Sequence, residues 1–478
     1  MKFFRILGVV TLALLLAGSV YAETQSVKVS GDLTVRSIYR NQYDYQGAPD
    51  EGNGAVRTGI DGASQSWFMS VTEVEVDADL TDNVQTVIRL LNQRDWNVSA
   101  KAVTSATALA YGRGGYTSNP DEFQVNVDLA YVTLKDFIYS PLTLTIGRQD
   151  LWFGKGFVVG LNQQNPAGAL SAPEYTAMNS FDAVKAVLDF DPWTITGIYS
   201  KVFGNAIQDN DDVNLWGVNV GYKFDSYKAE SEAYWFFKQD NQVDTWGAIK
   251  SNNDVHTIGI RGSMDPIEVI TVFGEAAYQG GEYVGSRLQI NNRDRSAWAI
   301  DVGGEWRYLA EKFSWKPKLG AEYIYYSGSK PEDNAAVSAG AWGGWDPMYR
   351  GKFDSAIREF VGRYYTTARY PVDATLNANP DAAYQNQHQA VITGSIQPIE
   401  SLVLKLNYNL FWNQEQYYET QVKSQGFIGQ EVDLQATWDY TEDVSFNVLC
   451  GWFMPGEVYY DNRNDVATDL VGSVKVSF

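Results

Sequence analysis

Eighteen segments of this chain alternate apolar and polar residues with a period of two, and together they leave few folds open. They span 27–40, 66–80, 84–96, 123–135, 141–149, 183–190, 193–202, 213–224, 227–238, 255–263, 267–279, 295–308, 315–327, 387–397, 402–412, 429–440, 444–453 and 467–478. Such a period puts successive side chains on opposite faces of a strand. Val71–Leu80 shows it most plainly: Glu73, Glu75, Asp77 and Asp79 alternate with Val74, Val76, Ala78 and Leu80. Four carboxylates on one face would be costly in a dry interior. A soluble sandwich turns such a face to water, and a membrane barrel turns it to a wet lumen while the aliphatic face meets lipid.

The rest of the chain separates these two. Each segment is close to the length a tilted spanning strand needs, and their number is even. Connections alternate in length. Residues 81–83, 191–192, 225–226, 265–266, 398–401 and 441–443 are short links, whereas 41–65, 150–182, 239–254, 280–294, 328–386 and 413–428 are long. Short turns on one rim and long loops on the other are the pattern of bacterial outer-membrane barrels. The 30 Tyr, 22 Phe and 15 Trp suit interfacial girdles, and Tyr222, Phe224, Tyr227, Trp438 and Tyr440 do gather at strand ends. The last segment, LVGSVKVSF, stops on Phe478 in mid-strand, as expected of a strand paired on both edges. The expected fold class is all-β: a transmembrane, antiparallel, up-and-down barrel of about 18 strands, wide enough for an aqueous channel.

The opening MKFFRILGVVTLALLLAGSVYA has Lys2 and Arg5, then a short apolar stretch, then Val20-Tyr21-Ala22. It reads as a secretory signal peptide cleaved near Ala22, with a barrel over 23–478. Ser19 stands where a lipoprotein would carry cysteine. No run of 18 apolar residues follows, so no spanning helix is expected. The single Cys450 cannot form an internal disulfide. The expected location is the outer membrane of a Gram-negative cell.

Without Lys2 and Arg5 the chain keeps 35 basic and 58 acidic residues, yet the eighteen spans hold 19 of each. The lumen therefore reads as neutral and mixed, and the loops carry the acidic excess. Candidate pore-lining acids are Glu73, Glu75, Asp77, Asp79, Glu230, Glu232, Glu431 and Asp433. Candidate basic residues are Arg36, Arg89, Arg148, Lys185, Arg261, Arg307, Lys318 and Lys405. Opposed strips of the two signs would set up a transverse field. Arg148 shares parity with Leu142, Leu144 and Ile146, which should face lipid. A bulge at Gly147 would turn it inward; otherwise it sits at the rim. Loops 150–182 and 328–386 are candidates for restricting the pore, and DSAIREFVGRYY within the second reads as a short helix. The acidic stretches Asp209–Asp212 and Asp461–Asp465 are either a solvated surface or a divalent-ion bridge to lipopolysaccharide.

No zinc spacing, phosphate loop or nucleotide motif appears, so no cofactor, metal or nucleic-acid partner is expected. An outer-membrane barrel enzyme is the rival class. It would have to use His256 or His388, the only histidines, and neither has a visible serine partner.

One stretch also carries a resemblance. LTIGRQDLWFGKGFVVG (144–160), followed by Ser180-Phe181-Asp182-Ala183-Val184, resembles the alginate-export family of outer-membrane porins. The shared features are Gly147-Arg148-Gln149 at a strand end, Gly154-Lys155-Gly156 after it, and Phe181-Asp182 opening the next strand. Asn92-Gln93-Arg94-Asp95-Trp96 and Ala130-Tyr131-Val132 are similar too. Ala183 stands where the family prefers glycine. The resemblance implies passive diffusion of hydrophilic, anionic or saccharide solutes. The name-giving members export an anionic polysaccharide, so a dedicated exporter is the alternative; a polyanion route should be lined by Arg and Lys. Implied partners are outer-membrane lipid, lipopolysaccharide, the solute, and the barrel-assembly machinery through the strand ending at Phe478.

Overall fold

The structure, a computed structural model, describes residues 26–43, 64–96, 125–162, 170, 172–204, 212–241, 253–283, 293–328, 341–360, 384–415, 426–458 and 464–478. Eighteen strands account for most of them. The first six are β1 (Ser26–Asn41), β2 (Gln65–Thr81), β3 (Val84–Asp95), β4 (Asn126–Leu134), β5 (Leu142–Gln149) and β6 (Phe181–Asp189). Then come β7 (Trp193–Phe203), β8 (Val213–Lys223), β9 (Glu230–Asp240), β10 (Val255–Ile267), β11 (Ile270–Tyr283) and β12 (Arg293–Trp306). The last are β13 (Lys318–Tyr326), β14 (Gln387–Ile399), β15 (Leu402–Asn413), β16 (Phe427–Asp439), β17 (Val444–Pro455) and β18 (Ala467–Ser477).

Each strand pairs antiparallel with the next, and β1 pairs with both β2 and β18, so the sheet closes on itself. Closure leaves no edge strand, which a hydrocarbon surrounding requires because it offers backbone groups no partner. The two faces divide by parity. Val74, Val76, Ile88, Ile258, Ile260, Ile392 and Leu434 are exposed on the outside. Outward Phe68, Trp96, Trp216 and Trp298 lie toward the long-loop rim; Trp193, Trp306, Trp438 and Tyr440 lie toward the short-turn rim. These are the two interfacial girdles.

One turn differs from the sequence expectation. The link read at Asp265-Pro266 lies at 268–269, because β10 runs on through Pro266 after a register shift between Met264 and Ile267. Proline is tolerated at such an irregularity, where no ladder donor is needed.

The seam depends on one small residue. Gly31 and Phe478 exchange both backbone hydrogen bonds, at 2.9 and 3.0 Å. A Cβ on Gly31 would lie 2.5 Å from the Glu73 carbonyl and 2.7 Å from the Phe478 ring. Gly472, by contrast, has open space around it. Gly31→Val is therefore expected to cost about 1–3 kcal/mol through overpacking. It should lower the temperature at which the folded, heat-modifiable band converts on gel electrophoresis, while Gly472→Val leaves that temperature unchanged.

Candidate functional site

The inner wall is built from the polar face of every strand. The acid ladder of β2 points into the bore, opposite in parity to exposed Val74 and Val76. Its charges are answered by the neighbouring strand. Glu75 and Arg89 are register partners. The Arg89 guanidinium reaches Asp128 at 2.6 Å, Glu73 at 3.5 Å, Asp150 at 3.6 Å and Glu75 at 3.8 Å. Asp77 accepts from the Gln85 amide at 2.9 Å, and Asp79 from the Ser26 hydroxyl at 2.8 Å. Next-strand compensation of this kind outweighs attraction across the bore for these groups, because a partner one strand away is much closer than the far wall.

Other sequence candidates fall into small local groups. Arg261 binds Glu230 at 2.8 Å and also Glu232. Arg307 sits at the short-turn rim with Asp265 and Glu305. Arg36 stacks over the Tyr175 ring. Lys185, Lys318 and Lys405 lie on inward positions; none pairs with a carboxylate among the described residues. Lys318 and Lys405 flank Ser395 in one row. Arg148 corrects the inward reading. Gly147 has a φ of 126°, but the register runs unshifted through Ala130↔Arg148↔Asp182. Arg148 keeps the outward parity of exposed Ile146 and pairs with Asp182 at 3.4 Å on the rim.

Glu431 and Asp433 do not line free space. They hold a loop. The N–H groups of Ile357 and Arg358 donate to the two Glu431 carboxylate oxygens at 2.6 and 2.8 Å, and Ala356 N–H donates to Asp433 at 3.2 Å. Segment 341–360 lies inside the barrel and reaches much of its circumference. Asp346 pairs with Lys238 of β9 at 2.6 Å; Gln279 of β11 grips the Asp346 backbone at 2.7 and 2.8 Å. Lys352 reaches Asp301 of β12 at 2.9 Å and also Glu322 of β13. The Asn409 amide of β15 donates to the Asp354 carbonyl at 3.2 Å. Arg350 is fully buried among the rings of Phe157, Tyr326 and Tyr384, beside Asp354 and Glu359. Of the expected helix over 354–365, residues 358–360 are helical, 354–357 are not, and 361–365 lie outside the described residues.

Loop 150–180 enters the bore too. Val159 and Tyr349 form a parallel bridge, and Gly351 N–H donates to the Gly156 carbonyl at 2.8 Å, so the two loops are tied together. The turn Pro173–Tyr175 packs against β1–β3, with Glu174 on Arg40 and Thr176 donating to Gln93 at 3.0 Å. Loops 150–182 and 328–386, as far as they are described, thus occupy the long-loop half of the lumen. The short-turn half keeps the β2 ladder, Lys318, Lys405 and Ser395. The sequence reading missed Arg40, Lys238, Asp301 and Arg350. Arg40 and Asp301 have inward parity and could have been found by it; Arg350 and Asp346 stand in a loop, where no periodicity marks them. Of the acidic stretches, 209–211 and 461–463 lie outside the described residues, and Asp212 pairs with Lys201 at 3.0 Å.

Both histidines point outward. His256 stacks on Phe237 at 4.1 Å between centroids, and His388 Nδ1 lies 2.6 Å from the Tyr323 hydroxyl. They belong to the aromatic belt.

The model of one protein family, described as alginate export, matches residues 50–473. The chain belongs to the alginate export family. A search of curated proteins finds no match. Among solved structures, OccAB4 of Acinetobacter baumannii is 9% identical, with a TM-score of 0.54 over 96% of this chain and 99% of that one. A BenF-like porin from Pseudomonas fluorescens is 11% identical, TM-score 0.54, over 95% and 100%. OpdK of Pseudomonas aeruginosa, solved with vanillate, is 8% identical, TM-score 0.53, over 94% and 99%. At these identities the likeness is one of fold. The closed barrel and the family together place this alginate export member in the outer membrane, with its short turns toward the periplasm.

The docked segment 341–360 contains a titrating group. Burial, then the neighbouring Asp354, push the Glu359 carboxyl up to about 7, against the pull of Arg350. A group raised on docking favours the docked state below its ordinary value of 4.5 and loses that contribution as pH rises through about 7. Conductance across a planar bilayer is therefore expected to rise between pH 5 and pH 8, and Glu359→Gln should flatten that rise. Glu431→Ala strands two buried N–H groups, at about 1–3 kcal/mol each. It should raise conductance at every pH.

Proposed function

We propose that this barrel is a passive channel for hydrophilic solutes, with segment 341–360 and loop 150–180 as its internal restriction. The observation that carries the reading is the division of the lumen: a periplasmic half lined by polar side chains, and a half occupied by two loops tied to each other. In that reading the pore wall comprises Arg36, Glu73, Glu75, Asp77, Asp79, Arg89, Lys185, Glu230, Glu232, Arg261, Arg307, Lys318 and Lys405, with Glu431 and Asp433 as anchors of the restriction. Arg148 is a rim residue. Removal of the leader near Ala22 leaves 23–478 as the barrel, and the strand ending at Phe478 is the element offered to the assembly machinery.

The wall's charges support a general channel over a dedicated polyanion exporter. Most inward arginines are already bonded to carboxylates, whereas positive rings select anions. The outward histidines support a channel over an enzyme.

The test is the reversal potential of the purified barrel in a planar bilayer under a salt gradient. Weak selectivity is expected. Strong anion selectivity would favour the polysaccharide exporter. Deleting 341–360 should raise conductance; a barrel that passes no current with or without that segment would sink the reading.

A further inference from the structure

Residues 150–154 form a strut across the bore. At one end Asp150 lies 3.6 Å from Arg89 on β3. At the other, a Cβ on Gly154 would meet the Arg261 side chain of β10 at 2.6 Å. The backbone leaves the wall after Gln149, the last residue of β5, and β10 stands five strands away in the closed sheet of eighteen, so the strut cuts a chord inside the bore. Trp152 is its midpoint.

The indole is seated on glycine backbone. Positions that a Cβ would take on Gly156, Gly160 and Gly351 lie 2.6, 3.0 and 2.6 Å from its six-membered ring, so three glycines floor it. Its Nε1 donates to the Gly154 carbonyl at 3.0 Å, which fixes the ring's rotation. Gly154 and Gly156 hold φ of 54° and 74°, a backbone region that favours glycine. The Gly154-Lys155-Gly156 motif is thereby explained as a seat. Yet Trp152 is 52% exposed, while Phe157, Trp345 and Tyr349 in the same plug are buried. An indole seated closely on backbone that still keeps half of its surface exposed is a binding surface rather than packing.

We propose that Trp152 is the stacking platform of a saccharide subsite, taking one uncharged pyranose ring on its open face. The inference rests on the channel reading and names its substrate class. A pyranose is amphipathic: one face presents C–H groups, and its edge presents hydroxyls. An aromatic platform with a few polar groups beside it matches that division. Asp150, 57% exposed at the end of the strut, is the polar group nearest in sequence, and Lys185 lies within its electrostatic reach. The charge at the Asp150 end of the strut argues for a neutral ring. Glu73, Glu75, Asp128 and Asp150 converge on Arg89, and with Lys185 two cations face four carboxylates. A uronate would add a negative charge where negative charge is already in excess.

The experiment is current block in a planar bilayer by a linear glucose hexasaccharide, compared with a hexuronate oligomer of equal length. The neutral oligomer is expected to interrupt the wild-type current reversibly. Trp152→Leu should raise its half-blocking concentration roughly tenfold, the size of losing one ring-stacking contact, while Trp152→Phe keeps most of the block. Retention of the heat-modifiable folded band on gel electrophoresis shows that both variants fold. The inference is overturned if the glucose oligomer does not block, if Trp152→Leu blocks as well as wild type, or if the uronate blocks better. A wild-type barrel that carries no current refutes the channel reading itself, and the inference falls with it.

Discussion

Everything in this molecule depends on the closed ladder of backbone hydrogen bonds. Hydrocarbon offers no partner to an N–H or a carbonyl, so a sheet in lipid must end where it began. Here it does so through the β1–β18 seam, at which Gly31 and Phe478 exchange their last two bonds. Once the sheet is closed, parity has only two meanings, lipid and lumen. That is why Val74 and Glu75, adjacent in sequence, live in such different solvents.

Closure also sets the electrostatics. A bore wide enough for water could support charges facing each other across it, but neighbouring strands are far closer. Arg89 therefore gathers four carboxylates from its own side, and Arg261 two. What remains of the wall's field is local and patchy. The loops complete this arrangement: Lys352 and Lys238 bring or meet charge at the wall, and Glu431 spends its oxygens on loop N–H groups instead of on solute.

The barrel was legible in the sequence because its signal is repetitive. All eighteen strands were read from alternation, and the inward placement of the β2 acids followed from Val74 and Val76. The errors came where a period of two gives no information. Pro266 looked like a turn, but it stands past an irregularity that tolerates it. Gly147 left Arg148 either turned inward by a bulge or at the rim, and its unusual φ leaves the register unshifted and Arg148 outside. The restriction could be suspected from loop length alone, since long loops in compact folds tend to have a task. Which residues hold it could not be read. The Glu431 anchor depends on backbone donors, and Asp346 finds Lys238 across 108 positions of sequence. Neither leaves a mark in local composition.

The strut from Asp150 to Gly154 has a mechanical consequence. A closed sheet this wide is a thin hoop, softest toward becoming an ellipse. A tie from the end of β5 to the Arg261 side chain of β10 opposes that distortion, and the bridge between Val159 and Tyr349 passes the load to segment 341–360. The shape of the wall and the seating of the plug are then one mechanical variable.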